Sequence, residues 1–185
     1  MVAIIDYNVG NVENVLNACK RLGVDGKLTR DKNEILNADR IILPGVGAFP
    51  VAMKKLKEYD LVDVLKLAKE NGKKIMGICL GMQILFEKGY EVEETEGLGF
   101  LRGYIDKIPT NQKLPHMGWN DVDGDDYYFV HSYMAFTDED TKYAIYGDVK
   151  IPAIVKKDNV VGCQFHPEKS GQVGEKLLKK WLYEG

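Results

Sequence analysis

The segment that most constrains the fold of this chain is a short apolar run that leads into Gly77-Ile78-Cys79-Leu80-Gly81. Residues 74–78 have the composition of a buried strand, and the residues from Cys79 to about 88 have the pattern of a helix. Glycines on both sides of a central residue allow a sharp strand-to-helix turn that holds the middle side chain out at the end of a sheet. The same pattern also suits a buried structural cysteine between two packing glycines.

The rest of the chain alternates strand-like and helix-like segments, which predicts an open α/β fold. Early strands are expected at residues 2–7, 40–43 and 74–78, and helices at 11–22, 51–59, 61–71 and 174–183, with 35–37 ambiguous and Asp60 a plausible N-cap. Later strands are expected at residues 100–108, 127–136, 143–149, 153–157 and 160–165. This order implies a mostly parallel mixed sheet with helices on both faces, to which the later hairpins add antiparallel strands at one edge.

Length, charge and cysteine content exclude several classes of protein. The 185 residues suit one domain, taken as 1–185, and a net charge of −3 gives no electrostatic reason to expect nucleic-acid binding. We find no secretory signal and no apolar stretch near the ~20 residues of a membrane helix. The three cysteines are far apart and fit a reducing compartment, so we expect a cytoplasmic protein. No cysteine–histidine spacing suggests a metal, and the sequence predicts no cofactor.

A candidate base for Cys79 lies in Gly162-Cys163-Gln164-Phe165-His166-Pro167-Glu168. The predicted strand ends at His166 because Pro167 cannot continue the pairing. Glu168 follows two residues later, where its carboxylate can orient the imidazole and stabilise its protonated form. His-Pro-Glu alone is more often a simple turn. The two motifs follow presumed neighbouring strands, at the sheet edge where such folds bind ligands, so we predict a Cys79–His166–Glu168 triad.

Backbone donors for an oxyanion are predicted in two places. Pro44-Gly45-Val46-Gly47 follows a third strand, and its glycines let N–H groups turn toward a negative centre. The N–H of Leu80 comes directly after the nucleophile, where an oxyanion needs a donor. Gln83 shares a helix face with Cys79 and can bond a polar substrate over the thiol. Proline and glycine are also normal in a strand-to-helix turn, but beside a nucleophilic cysteine we favour the oxyanion interpretation.

With PGxG, GxCxGxQ and HPE present in this order, the chain resembles the triad (class I) glutamine amidotransferases over essentially its whole length. Within that family it resembles the glutaminase subunits of imidazole glycerol phosphate synthases, through the motifs DYNVGNV (6–12), PHMGWN (115–120), YFVHSY (128–133) and HPEKS (166–170). The resemblance implies a flavodoxin-like fold. It also implies hydrolysis of L-glutamine to glutamate and ammonia through a thioester on Cys79.

The resemblance assigns roles residue by residue. Cys79, His166 and Glu168 would be catalytic, and the remaining positions would serve the oxyanion (Gly45, Val46, Gly47, Leu80) or hold glutamine (Gln83, Glu91, Ser132, Tyr133). The loop around Glu91 departs from the Ser/Glu-rich run usual in the family, so a plain surface role for Glu91 stays open. His131 is expected to shape the glutamine pocket through its backbone, and His116 to be structural or to face a partner.

The resemblance further implies a heterodimer with a cyclase subunit that has a (β/α)₈ barrel. That subunit would use the ammonia to make imidazole glycerol phosphate and an aminoimidazole carboxamide ribonucleotide in histidine biosynthesis. The motifs that would face it contain Asn11, Met117, Trp119, Asn120, Tyr128 and Lys169. The residues alone place Trp119 in a Gly- and Pro-flanked, loop-like stretch, where an aromatic suits an interface, although a core position is as compatible.

Two other functions remain open at this point. The first is a free-standing amidase or γ-glutamyl hydrolase, which would be fully active without a partner. The second is a non-catalytic α/β binding module with a relic site, in which Cys79→Ala would change no reaction. The intact triad argues against the module, and a chain of 185 residues has no further domain for another substrate.

Overall fold

The structure is a computed structural model that describes residues 1–10 and 12–184. Its strands are β1 (Val2–Ile5), β2 (Gly26–Thr29), β3 (Arg40–Leu43), β4 (Lys74–Ile78), β5 (Phe86–Gly89), β6 (Thr95–Glu96), β7 (Leu101–Lys107), β8 (His116–Val122), β9 (Asp125–His131), β10 (Tyr133–Phe136), β11 (Asp140–Tyr146), β12 (Val149–Lys157) and β13 (Val160–Cys163). Its helices are α1 (Glu13–Arg21), α2 (Lys32–Asn37), α3 (Phe49–Glu58), α4 (Val62–Glu70), α5 (Leu80–Gln83) and α6 (Gly171–Tyr183), with a 3₁₀ turn at Pro167–Lys169.

A seven-stranded mixed sheet forms the centre of the fold, in the order β11-β12-β13-β4-β3-β1-β2. The five strands from β13 to β2 are parallel, and two antiparallel pairings extend the sheet at one edge, β12 against β13 and β11 against β12. The prediction of a mostly parallel sheet with antiparallel strands added at one edge is therefore confirmed. A four-stranded sheet (β10-β7-β5-β6) and the β8–β9 hairpin complete the β-structure of the described residues.

Helices cover both faces of the central sheet, as predicted. One core contains Ile35, Phe49 and Leu65 from α2, α3 and α4, and the other contains Cys19 from α1 and Leu178 from α6. The strands between them are apolar on both sides, as parallel strands buried on two faces require. In the described ranges, no helix has the length and apolar character to span a membrane.

The prediction of a helix from Cys79 to about residue 88 is wrong. Helix α5 is a single turn that ends at Gln83, and β5 begins at Phe86 in the second sheet. Residues 79–86 are all buried, so the segment has no solvent-facing side that would give an amphipathic helix. Pairing of β5 with β7 satisfies the backbone instead.

Three further local predictions are corrected. Asp60 does not cap α4. It lies in the left-handed region (φ 56°) and its N–H bonds Lys57, so it ends α3. The ambiguous residues 35–37 form the end of α2, which Asp31 caps through its side chain.

Two predictions about strands also differ from the structure. The strand predicted at 127–136 is two strands in different sheets. The loop-like stretch around Trp119 is strand β8, because pairing with β9 overrides the Gly and Pro flanks.

Candidate active site

Three adjacent strands of the central sheet end at the same edge, and each is followed by one of the predicted motifs. β4 pairs with β3 on one side and β13 on the other, with Ile78 opposite Cys163. Pro44 to Gly47 follow β3, Cys79 follows β4 and His166 follows β13. Because these strands are parallel, all three segments lie at their carboxyl ends, where open α/β sheets bind ligands.

Cys79 occupies the strained turn that the sequence predicted. Its φ is 55° and its ψ −114°, a conformation that costs a residue with a side chain about 1–3 kcal/mol. Its N–H bonds the carbonyl oxygen of Cys163 at 2.8 Å, which ties the turn to β13. The flanking glycines are required because a Cβ on Gly81 would overlap the Leu43 carbonyl and a Cβ on Gly77 would lie 2.6 Å from the carbonyl oxygen of Gly81.

His166 and Glu168 form a buried pair. Nδ1 of His166 lies 3.0 Å from Oε2 of Glu168, and both side chains are 3% exposed. Burial lowers the pKa of His166, but its interactions with Cys79 and Glu168 outweigh burial and raise the pKa to about 9. Nε2 of His166 is buried and has no hydrogen-bond partner among the described residues. It is the ring atom left for proton transfer at the thiol.

Strand β9 and Ser170 hold the main chain of His166 in place. The His166 N–H donates to the Tyr128 carbonyl at 2.9 Å. The Ser170 hydroxyl donates to the His166 carbonyl at 2.6 Å and accepts from the Tyr128 N–H at 3.0 Å. Ser170 is 1% exposed, so water does not compete for these bonds. Sequence reasoning missed this role, although Ser170 stands inside the HPEKS motif.

The segment predicted to serve an oxyanion lies beside Cys79, and the N–H of Leu80, the other predicted donor, is already occupied. The N–H of Leu80 donates to the carbonyl oxygen of Gly45 at 3.3 Å. Tyr7, which sequence reasoning did not single out, is 1% exposed and its hydroxyl bonds the Pro44 carbonyl. Burial and the nearby Cys79 raise the pKa of Tyr7, so the phenol stays protonated and keeps this bond. Gly47 has a φ of 111°, which leaves the end of the segment in a conformation that glycine accepts easily.

Two buried glutamine side chains lie beside Cys79. Nε2 of Gln83 bonds the carbonyl oxygen of Tyr133 and Oε1 of Gln164, each at 3.2 Å. Nε2 of Gln164 lies 4.0 Å from Sγ of Cys79. Gln83 was predicted near the thiol. Gln164 was missed, although it is two residues before His166 and the end of a buried strand is an unusual place for an amide.

The other predicted glutamine-binding residues lie in two separate segments of the chain, around Glu91 and at Ser132–Tyr133. Glu91 is partly exposed and its Oε2 accepts from the Phe49 N–H at 2.9 Å, so it caps α3 just after the oxyanion segment. Ser132 separates β9 from β10, and its carbonyl accepts from the Ile108 N–H at 3.0 Å. Tyr133 begins β10, and its carbonyl oxygen lies between Gln83 and His131.

The residues predicted to face a partner lie mainly on the β8–β9 hairpin. Met117 and Trp119 are 61% and 59% exposed, and the Trp119 ring meets the half-buried Tyr128 edge-on at 6.0 Å. Lys169 is exposed beside the His166–Glu168 pair. The Asn120 side chain turns inward, toward His116 and the Ile145 carbonyl. Asn11 lies outside the described residues.

The three cysteines of the chain are free thiols. The thiols of Cys19, Cys79 and Cys163 are unpaired and buried, and burial raises the pKa of Cys163 to about 12. In residues 1–10 and 12–184, no group of three or more His, Cys, Asp or Glu side chains has the arrangement of a metal site.

Comparison with known proteins identifies what this architecture resembles. The model of the family described as glutamine amidotransferase class-I matches residues 3–184. The chain is 52% identical over 198 residues to the imidazole glycerol phosphate synthase subunit HisH of Lactococcus lactis subsp. lactis (strain IL1403), covering 99% of this chain and 98% of that protein. It is 46% identical to the protein of the same name from Caldanaerobacter subterraneus subsp. tengcongensis (strain DSM 15242 / JCM 11007 / NBRC 100824 / MB4), covering 98% and 97%.

The fold has close counterparts among solved structures. A structure described as a crystal structure of glutamine amidotransferase aligns with a TM-score of 0.72 and 22% identity, over 98% of each chain. At that identity the likeness speaks for the architecture alone, and it agrees with the open α/β sheet described above.

Proposed function

This chain belongs to the class-I glutamine amidotransferase family, and from that premise we propose that it is the glutaminase subunit of an imidazole glycerol phosphate synthase. It hydrolyses L-glutamine to glutamate and ammonia and passes the ammonia to a cyclase subunit in histidine biosynthesis. The observation that carries the proposal is the strained Cys79 beside a buried His166–Glu168 pair. It occurs in a chain that is 52% identical to a protein named HisH.

Cys79 is the nucleophile of the proposed reaction. Its sulfur attacks the side-chain amide carbon of glutamine while Nε2 of His166 takes the thiol proton. The tetrahedral intermediate then loses its C–N bond, and His166 returns the proton to the leaving nitrogen, which departs as ammonia. Water, deprotonated by His166, attacks the thioester, and glutamate leaves as the thiol is restored. Glu168 holds the imidazole through Nδ1 and stabilises its protonated form, which the raised pKa of His166 supports.

The oxyanion of this intermediate would be bound by the N–H of Leu80 and by an N–H from Gly45, Val46 or Gly47. Both elements stand next to Cys79, since Leu80 follows it directly and a Cβ on Gly45 would lie 3.3 Å from the Leu80 Cβ. Leu80 now bonds the Gly45 carbonyl, so the segment must turn before both donors serve one oxygen. This requirement supports a reaction that becomes fast only after the segment has changed conformation, and binding of the cyclase subunit triggers that change.

Glutamine would be held by Gln83, Glu91, Ser132 and Tyr133. The amide of Gln83 and the carbonyl of Tyr133 already share a hydrogen bond next to the nucleophile. The Glu91 carboxylate caps α3 through one oxygen, and its charge suits the α-amino group of glutamine. These positions lie around the carboxyl end of β4, so one substrate molecule can reach Cys79 and this set together.

The cyclase subunit, with its (β/α)₈ barrel, would bind the face that carries Met117, Trp119, Tyr128 and Lys169, with Asn11 and Asn120 as further contacts. Two large exposed apolar side chains on a paired β-hairpin are suited to a protein interface. The same hairpin supplies the Tyr128 backbone that holds His166, which gives partner binding a short path to the base. We expect this assembly in the cytoplasm, with no nucleic acid or membrane involved.

The test of this function has two parts. Glutamate release from L-glutamine is measured on the isolated chain and with the cyclase subunit and its nucleotide substrate. We expect low turnover alone, stimulation in the complex, formation of imidazole glycerol phosphate, and no turnover with Cys79→Ala. Full activity without a partner would instead favour a free-standing amidase. No glutamate release from L-glutamine, either by the isolated chain or by the complex, would refute the proposal.

A further inference from the structure

A continuous chain of side-chain hydrogen bonds crosses the interior from the β8–β9 hairpin to β10. Asn120 Nδ2 lies 3.1 Å from His116 Nε2, and His116 Nδ1 lies 2.9 Å from His131 Nε2. His131 Nδ1 lies 2.8 Å from the carbonyl oxygen of Tyr133. His116 and His131 are 3% and 6% exposed, so bulk water does not compete for these contacts.

Backbone carbonyls at both ends fix the direction of this chain. At one end Nδ2 of Asn120 also bonds the Ile145 carbonyl at 2.8 Å, which sets the amide so that its nitrogen donates to Nε2 of His116. At the other end the Tyr133 carbonyl can only accept, so Nδ1 of His131 carries the proton. Nε2 of His131 must then accept from Nδ1 of His116. Both ends therefore demand the same order, with each imidazole neutral and protonated on Nδ1.

Two further features support neutral rings in this order. Burial lowers the pKa of His116 to about 4, and burial, together with the nearby His116 and His166, lowers that of His131 to about 3. His116 also stacks on Phe129 at 4.8 Å between centroids, which holds the plane of its ring. A second proton on either ring would set two donors against each other, so the arrangement has one stable state.

The Tyr133 carbonyl links this series of hydrogen bonds to the reaction site. It accepts from His131 on one side and from Gln83 on the other, and Gln83 in turn bonds Gln164, whose Nε2 lies 4.0 Å from the Cys79 sulfur. One peptide oxygen thus receives donors from the hairpin and from the site. If His131 stopped donating, the Tyr133 carbonyl would lose one of its two donors, and the acceptor of Gln83 would be less firmly held.

We propose that His116 and His131 are positioning residues for the glutaminase reaction, which act through the Tyr133 carbonyl to hold Gln83 and Gln164 at the glutamine site. The inference rests on the proposed function. In this proposal the two buried histidines outside the triad contribute to substrate binding. Asn120 is the outer end of the hydrogen-bonded series and lies one residue from the exposed Trp119.

The first experiment uses two near-isosteric variants of His131 in the full chain, assayed with the cyclase subunit. His131→Asn places an amide N–H where Nδ1 stood and keeps donation to Tyr133, whereas His131→Gln places its amide at the Nε2 position and removes that donation. We expect His131→Gln to raise KM for L-glutamine about tenfold, the value of one lost hydrogen bond. His131→Asn restores KM to within about threefold of the wild-type value.

The KM for glutamine separates positioning from a merely structural role. Partial unfolding removes active molecules and lowers kcat alone, so it leaves KM unchanged. Equal KM values in both variants, or a KM that neither variant changes, would overturn the proposal. Wild-type and Cys79→Ala proteins are assayed in parallel, because an inactive wild-type protein would refute the glutaminase function itself and not the role of the histidines.

The second experiment needs no activity. Nitrogen-15 NMR of the imidazoles in the full chain reports which ring nitrogen carries the proton. We expect Nδ1–H in both His116 and His131 of the wild-type protein. Asn120→Asp replaces the donor to His116 with a carboxylate, so the proton should move to Nε2 of His116 and KM should rise as in His131→Gln. Nε2–H in either wild-type ring contradicts the proposed order, and so does an unchanged spectrum in Asn120→Asp.

Discussion

The backbone N–H of Leu80 donates to the carbonyl oxygen of Gly45 at 3.3 Å, and this bond holds the proposed oxyanion site closed. In a trans peptide the carbonyl and the next N–H point in opposite directions. While the Gly45 oxygen faces Leu80, the Val46 N–H therefore points away from it. Rotation of this one peptide would free Leu80 and bring the Val46 N–H toward the thiol. The hydroxyl of Tyr7 holds the Pro44 carbonyl, so the rotation is confined to the segment after Pro44.

Because the donor is occupied, we expect slow glutamine hydrolysis by the isolated chain. Loss of one oxyanion donor costs an enzyme about 10²–10³ in kcat. Addition of the cyclase subunit with its nucleotide should therefore raise glutamate release by about 10²-fold or more. Steady-state glutamate production with and without the liganded partner measures this effect. Equal rates in the two conditions would show that the closed segment does not limit turnover.

The conformation of Cys79 gives a prediction about both activity and stability. Cys79→Ala and Cys79→Gly both remove the sulfur, so neither should hydrolyse glutamine. They differ in strain, because φ 55° with ψ −114° is unfavourable for alanine and accessible to glycine. We expect the free energy of unfolding of Cys79→Gly to exceed that of Cys79→Ala by about 1 kcal/mol. Urea denaturation measures the difference, and the reverse order of stability would contradict the strained turn.

His166 should titrate well above the range usual for histidine. Its pKa is raised to about 9 by Cys79 and Glu168, against the opposing effect of burial. Cys79→Ser removes the sulfur and its attraction for the imidazolium, while burial still acts, so the pKa of His166 should fall. NMR titration of the imidazole in the two proteins tests this, with the low-titrating His131 as an internal control. A pKa of His166 that is the same in Cys79→Ser would exclude a thiolate–imidazolium pair.

The same shift has a consequence for stability. A histidine with a folded-state pKa above the unfolded value of about 6.5 stabilises the fold below that value. The contribution of His166 is then lost as pH rises from about 6.5 through about 9. Glu168→Gln removes one source of attraction, so its pH dependence in this window should be weaker than that of the wild-type chain. Unfolding free energies measured between pH 6 and 10 compare the two.

The proximity of Cys79 to His166 and Glu168 could be predicted because these residues sit at motif positions that strand geometry fixes. Gly77, Gly81 and Cys79 form the turn between β4 and α5, and His166 follows the strand next to β4, so sheet topology alone brings them together. The bonds that hold these residues were not predictable in the same way. Gln164 and Ser170 act through side-chain contacts with segments far along the chain, and no spacing in the sequence records such contacts.

The fold was least predictable where burial is continuous or where pairing partners are remote. Residues 79–86 are buried throughout, so hydrophobic periodicity cannot tell the short helix α5 from strand β5. The stretch around Trp119 becomes a strand because residue 119 pairs with Tyr128, and Gly118 tolerates a φ of 122° within it. Local propensity carries no information about that pairing.

Ser170 joins the base to the β9 strand, and its removal should affect both stability and rate. Ser170→Ala leaves the buried His166 carbonyl and Tyr128 N–H without this partner, which we expect to cost about 1–3 kcal/mol of unfolding free energy. It should also lower kcat by loosening His166. Thr110→Ala is the matched control, since the Thr110 hydroxyl accepts one N–H bond, from Gln112, in a loop. If the two variants are equally stable and active, Ser170 does not hold the base.

Trp119 offers a test of the interface that is independent of the reaction. Its side chain is 59% exposed and touches Tyr128 at the edge of its ring, so Trp119→Ala removes little buried area from the isolated chain. We expect an unfolding free energy within about 0.5 kcal/mol of the wild-type value. If Trp119 anchors the cyclase subunit, the same change should cost about 2 kcal/mol or more of binding, which is a Kd about 30-fold higher.

Leu67→Ala is the matched control for Trp119, since Leu67 is another exposed apolar side chain, on α4. It should leave the Kd for the cyclase subunit unchanged, because it lies outside the β8–β9 hairpin. Isothermal titration of each variant with the cyclase subunit gives the Kd, and urea denaturation gives the stability. An unchanged Kd in Trp119→Ala would move the interface away from the hairpin, whereas a large loss of stability would make Trp119 a structural residue.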